Sequence, residues 1–184
     1  DTYGHDVGDR ALTVIASVTR DFKRAADVAA RLGGEEFALL LPDVLVQHAP
    51  GCMAQMIDAY RGLKQTANVI AVEEVPPERI HQYGVVGVGK TTGKTFTITE
   101  MVEKPKREAA PSNLIITGRY ILQPEVFDIL ETQTGGAGGE IQITDAMAKL
   151  LNRQPFHGVE YDGVTYDCGD KIGYLAANIA LGLE

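Results

Sequence analysis

Along the chain, short apolar runs alternate with stretches of helical spacing, and the two periods set the expected elements. Residues 37–41 (FALLL) are continuously apolar between Glu-Glu and Pro-Asp, which predicts a strand buried on both faces, central to the sheet. Met53, Met56, Ile57, Tyr60 and Leu63 recur at three- and four-residue steps, predicting a helix over 53–64. Strands are predicted at 69–75, 83–88, 95–102, 114–122 and 156–161, with a turn at Gly93. Helices follow Pro124 and cover 144–151 and 171–181, and a loop covers 135–139. Upstream, Leu12, Ile15, Thr19 and Phe22 predict a helix from Asp9, ending near a turn at Gly33 and Gly34. Such alternation predicts an α/β fold with a mixed, mostly parallel sheet flanked by helices.

Composition narrows the class of partner. With 184 residues, 45% apolar and 23% charged, the chain is long enough for one compact domain with a core. A net charge of -8 argues against a nucleic-acid-binding surface, which needs excess Lys and Arg. No apolar run reaches the ~18 residues that span a bilayer, so a cytoplasmic protein without a membrane partner is expected. Cys52 and Cys168 lack metal-ligand spacing and read as reduced thiols. His5, His48, His81 and His157 are scattered, without the spacing of a zinc site. A chain opening at Asp1, inside a motif and without Met, reads as a piece, a processed product or an engineered chain.

Two stretches invite phosphate chemistry. Residues 84–91 (GVVGVGKT) fit the pattern of a phosphate-binding loop, but β-branched residues and Gly93 follow where that loop needs a helix, so a hairpin is expected. Asp43 stands just past the 37–41 strand, where open α/β sheets hold their ligands.

Residues 1–43 contain DTYGHDVGDRAL and, some twenty residues on, AARLGGEEFALLLP. These resemble the central part of the GGDEF domain of diguanylate cyclases and imply an N-terminal helix and hairpin of that type. The resemblance implies that Asp9 contacts a guanine base, that Glu35 ligates metal beside Glu36, and that Gly33 and Gly34 approach GTP phosphates. The flanking metal and phosphate ligands of that family are absent from the sequence.

From about residue 37 to 184, LPDVLV, YGVV, MVEKPK, APSNLIITGRYIL, GAGGEIQITDAM and YDCGDKIGY occur in the order of the C-terminal part of bacterial UTP-glucose-1-phosphate uridylyltransferases. The chain resembles that family here, which implies a nucleotide-diphospho-sugar transferase-like fold and a nucleotidyltransferase that makes UDP-glucose. The resemblance implies that Asp43 and Asp167 share Mg²⁺ and that Glu103 holds sugar hydroxyls. It also implies that Lys104 holds the sugar phosphate and that the backbone at Tyr83 and Gly84 approaches the hexose. Lys104 and Asp43 would be the catalytic pair. The family's glycine-rich, triphosphate-gripping loop is not in the sequence, so a sugar-phosphate-binding fragment without full activity is expected. The joint expectation is a chimera of a 1–43 segment and a 44–184 segment in one domain, with a small sugar phosphate or nucleotide as partner. The alternatives are a cyclic di-GMP signalling fragment and a non-catalytic folded chimera, and homo-oligomerisation is left open.

Overall fold

The computed structural model describes residues 28–33, 36–64, 66–134 and 142–183. Two strands open it, β1 (Val28–Gly33) and β2 (Glu36–Leu40), followed by β3 (Val44–Gln47), α1 (Cys52–Gly62) and β4 (Asn68–Glu74). Then come β5 (Gly84–Thr92), β6 (Thr95–Glu103), β7 (Leu114–Leu122), α2 (Glu125–Thr132) and α3 (Ile143–Leu151). The chain closes with β8 (Phe156–Glu160), β9 (Val164–Asp167) and α4 (Lys171–Gly182). The main sheet runs β1-β2-β7-β4-β8-β6-β5, and β3 pairs with β9 in a small second sheet.

The sheet is covered on both faces, and β4 shows why its residues alternate in partner. Val69 and Ala71 face Cys52, Met56 and Tyr60 of α1. Ile70 and Val72 face the opposite cluster, with Val126 and Leu130 of α2 and Met147 and Leu150 of α3. A strand buried on both faces needs apolar side chains at every position, and residues 69–72 (VIAV) supply them. Each large side chain so buried stabilises the fold by about 1.5–3 kcal/mol.

The expected α/β architecture, with a mixed sheet flanked by helices, is the one observed. Parallel pairing does not predominate, however: among the described residues only β4–β8 is parallel. Hydrophobic period carries no information on strand direction, and short connections such as that at Gly93 force antiparallel neighbours. The 37–41 run forms β2 as expected but lies next to the edge strand, with Leu39 and Leu40 only half-buried. The centre belongs to β4 and β7. Residues 84–91 all lie on β5, paired antiparallel with β6, so the phosphate-loop pattern is part of a hairpin. Both cysteines are free. Strands β1 and β2 pair as the hairpin expected in the 1–43 segment, whereas β3 and β9 were not expected. The helix expected from Asp9 and the loop expected at 135–139 lie outside the described residues. Among the described residues no helix is long and apolar enough to cross a membrane.

Candidate active site

The site is assembled around an interruption in β7. Gly118 has φ +72, and the β4–β7 register shifts beside it. An added Cβ would stand 2.9 Å from the Leu41 Cδ1 atom, so a side chain is excluded where β7 passes the end of β2. The Leu41 amide donates to the Gly118 carbonyl at 2.9 Å. Next along β7, buried Arg119 donates from Nη1 to the Thr117 carbonyl at 3.2 Å and from Nη2 to the Val44 carbonyl. These contacts fix residues 41–44, and with them Asp43, over the sheet.

Asp167 arrives by the small sheet. Val44 lies directly opposite Asp167 in the β3–β9 ladder, and the Cys168 amide donates to the Asp43 carbonyl at 2.6 Å. A Cβ built on Gly169 would lie 3.1 Å from Asp167 Oδ1 and 4.0 Å from Asp43 Oδ2. The two oxygens are therefore closer together than those two distances combined. Asp170 then caps α4, accepting from the Ile172 amide at 2.7 Å. A Cβ on Gly173 would overlap the Asp167 carbonyl, so α4 can lie against the strand only with glycine there.

The opposite wall comes from the β5–β6 hairpin. Glu103 ends β6 with its side chain 11% exposed, and Lys104 Nζ stands 3.8 Å from Glu103 Oε1. Lys104 has φ 45, a left-handed conformation that costs a non-glycine residue about 1–2 kcal/mol. Its amide donates to the Tyr83 carbonyl at 3.0 Å. Gly84 makes room for this wall: a Cβ there would meet Thr144 Oγ1 at 3.0 Å and Glu103 Oε2 at 3.1 Å.

Between the walls lies a cleft of ≈ 650 Å³. Its lining includes Asp43, Tyr83, Gly84, Glu103, Lys104 and Asp167, all expected from the sequence to share a site. Arg79, Thr144 and Tyr120 also line it and were not anticipated. Arg79 donates to the Tyr83 hydroxyl at 2.7 Å, and that hydroxyl donates to Asp167 Oδ2 at 2.8 Å. Burial, then the hydrogen bond to Asp167, push the Tyr83 phenol up. Burial likewise pushes the Tyr120 phenol far up, with the Glu103 and Asp43 charges adding to it. A lone Arg in a turn carries no sequence signature. Thr144, by contrast, lies within GEIQITD, one of the stretches that carried the resemblance.

Among the described lining residues are six carboxylates (Asp43, Glu73, Glu74, Glu103, Asp167, Asp170) and two cations, Arg79 and Lys104. An anionic ligand would be repelled from such a cleft unless a divalent cation accompanied it. Among the described residues no three His, Cys, Asp or Glu side chains form a ligand set. Asp43 and Asp167 suit Mg²⁺ nonetheless, because this ion commonly takes one or two carboxylates and completes its shell with water and phosphate oxygens.

A sequence profile of the family described as nucleotidyl transferase matches residues 17–182. The chain belongs to this family. A UTP-glucose-1-phosphate uridylyltransferase of Komagataeibacter xylinus is 47% identical over 141 residues, covering 77% of this chain and 49% of that protein. The Staphylococcus epidermidis enzyme of the same name is 41% identical over 153 residues, covering 83% and 52%. The chain thus spans about half the length of these curated relatives. A UDP-glucose pyrophosphorylase solved with UDP-glucose superposes with TM-score 0.76 at 39% identity, covering 82% of this chain and 57% of that one. A UTP-bound enzyme of Acinetobacter baumannii gives 0.68 at 39% identity, covering 82% and 52%.

The nucleotidyl transferase profile begins at residue 17 and so runs through much of the 1–43 segment, and nothing in these comparisons corresponds to a GGDEF domain or a chimera. Of the residues singled out by that resemblance, Asp9, Gly34 and Glu35 lie outside the described residues. Gly33 ends β1 and is paired with Glu36, which starts β2.

Proposed function

We propose that this nucleotidyl transferase chain carries the sugar-phosphate side of a UTP-glucose-1-phosphate uridylyltransferase site. The observation that carries the reading is the meeting of Asp43 and Asp167 with Glu103 and Lys104 across one cleft. Lys104 is the group that meets the phosphate, and its ammonium balances negative charge that grows as a phosphoryl group is transferred. Glu103, its side chain nearly buried in the β5–β6 wall, accepts from hexose hydroxyls, and the Tyr83 and Gly84 backbone bounds the ring. Asp43 and Asp167 are the residues that would hold Mg²⁺, which when bound supplies further charge neutralisation at the phosphates. The relatives bound to UDP-glucose and UTP support this choice of ligand class.

A second reading, a cyclic di-GMP signalling fragment in residues 1–43 joined to a transferase segment in 44–184, draws on the GGEEF signature, of which Gly33 and Glu36 are paired between β1 and β2. The cleft chemistry favours the first reading, because, of the residues that would act in it, only Asp43, the last of that segment, falls within residues 1–43.

Calorimetric titration with glucose 1-phosphate in Mg²⁺ tests the proposal. One charge-assisted contact and a few hydroxyl bonds support a Kd of about 1 mM once immobilisation is offset. Binding is lost in Lys104→Ala. Equal heats from both proteins would remove Lys104 from the site.

A further inference from the structure

The cleft wall beside Asp167 holds a charge that the proposed reaction does not use. Arg79 Nη2 stands 3.9 Å from Asp167 Oδ2, the oxygen that also accepts from Tyr83. The other oxygen, Oδ1, accepts from the Gly169 amide at 3.1 Å. Asp167 is therefore oriented by two neutral donors and faced by one guanidinium. The turn that brings Arg79 there is local: its amide donates to the Pro76 carbonyl at 2.9 Å, and the Tyr83 amide to the Ile80 carbonyl at 3.2 Å. The guanidinium carbon lies 5.7 Å from the Tyr83 ring centre, within cation–π range, so ring and hydroxyl hold it together.

We propose that Tyr83 and Arg79 are positioning residues with opposing effects on a divalent cation at Asp43 and Asp167: Tyr83 orients Asp167 for the cation, and Arg79 is a resident counter-charge that competes with it. This rests on the reading of those two carboxylates as the cation site. Two carboxylates in one corner of an acidic cleft repel one another, and an adjacent positive charge relieves that repulsion. A divalent cation approaching the same oxygens meets the guanidinium as a like charge and must displace it or bind against it. The hydroxyl of Tyr83 carries no charge and occupies only one of the acceptor directions on Oδ2, so it fixes the carboxylate without opposing a metal. Once displaced, Arg79 has the cleft, and any phosphate in it, as its nearest destination.

Mn²⁺ is the probe, with free ion followed by electron paramagnetic resonance on the 184-residue chain and variants of matched melting temperature. Arg79→Gln is expected to tighten Mn²⁺ about threefold to tenfold at low salt, a modest change because the pair is partly solvated. The gap should close toward 0.5 M salt, where the screening length falls to about 4 Å. Arg79→Lys retains the charge and should stay near wild type, whereas Tyr83→Phe should weaken binding by about two- to fivefold through lost orientation. Binding by Arg79→Gln alone, with none in wild type, would also support the proposal. Asp167→Asn separates the levels of the claim. Should it lose the ion while Arg79→Gln matches or falls below wild type, the competing role of Arg79 is overturned and the cation site stands. Should it bind as wild type does, or should no protein bind, the cation site and the proposal fail together.

Discussion

Lys104 combines two properties that substitution can separate. Its ammonium faces the cleft, and its backbone sits in a conformation that glycine adopts without cost. Lys104→Gly should therefore be more stable than Lys104→Ala by about 1 kcal/mol in urea unfolding, while both lose glucose 1-phosphate binding. Equal stabilities would show that the left-handed geometry is not maintained in solution. The cysteines give a second residue-scale contrast. Cys52, the first residue of α1, is buried against the sheet, and burial pushes its thiol up to about 11 from the ordinary 9.0. A thiol that ionises at higher pH in the folded chain than in the unfolded one adds stability below pH 9. That contribution drains away as the pH rises toward 11, on the order of 2 kcal/mol. Unfolding experiments across that range should show a slope that shrinks in Cys52→Ala. At pH 8 a thiol reagent should titrate half-buried Cys168 and reach Cys52 only after unfolding.

At the scale of elements, the β3–β9 ladder and α4 carry the candidate site, and the ladder was the part least legible in the sequence. The long strands and α1, α2 and α3 could be read because burial imposes a period on them, and α4 was expected too, although only Ala177 of it is buried. β3 and β9 are four residues each, mostly half-buried, and pair only with one another, so no alternation marks them. What the sequence did carry was the expectation that Asp43 and Asp167 belong together, through the stretches LPDVLV and YDCGDKIGY, and both line the cleft. What it could not carry was the Arg79–Tyr83–Asp167 chain, since hydrogen bonds between residues 84 positions apart leave no local pattern. Gly173→Ala tests the element scale. The new methyl has nowhere to go except into the Asp167 backbone, so α4 must shift, at a cost of about 1–3 kcal/mol. Mn²⁺ binding should weaken with it, although no ligand is altered. A variant that kept both stability and Mn²⁺ affinity would mean that α4 does not fix Asp167.

For the whole molecule, the decisive fact is that the chain spans about half of its curated relatives while Asp43, Glu103, Lys104 and Asp167 line one cleft in it. Positioning two reactants together accounts for about 7–11 kcal/mol of a barrier, and a sugar phosphate held without a gripped triphosphate forgoes it. The 184-residue chain alone is therefore expected to bind glucose 1-phosphate yet to release no pyrophosphate with UTP, and to form no cyclic di-GMP from GTP. Either product above the protein-free control would overturn the corresponding expectation. The central claim is narrower: residues brought together by β3–β9 and by β5–β6 form one site for a sugar phosphate. An amide-resolved NMR titration with glucose 1-phosphate and Mg²⁺ tests it most directly. The account predicts saturable shifts at Tyr83, Gly84 and Lys104 together with Asp43, Asp167 and Cys168, all fitting one constant near 1 mM and all absent in Lys104→Ala. Shifts confined to one wall, or spread over the surface without saturation, would contradict it.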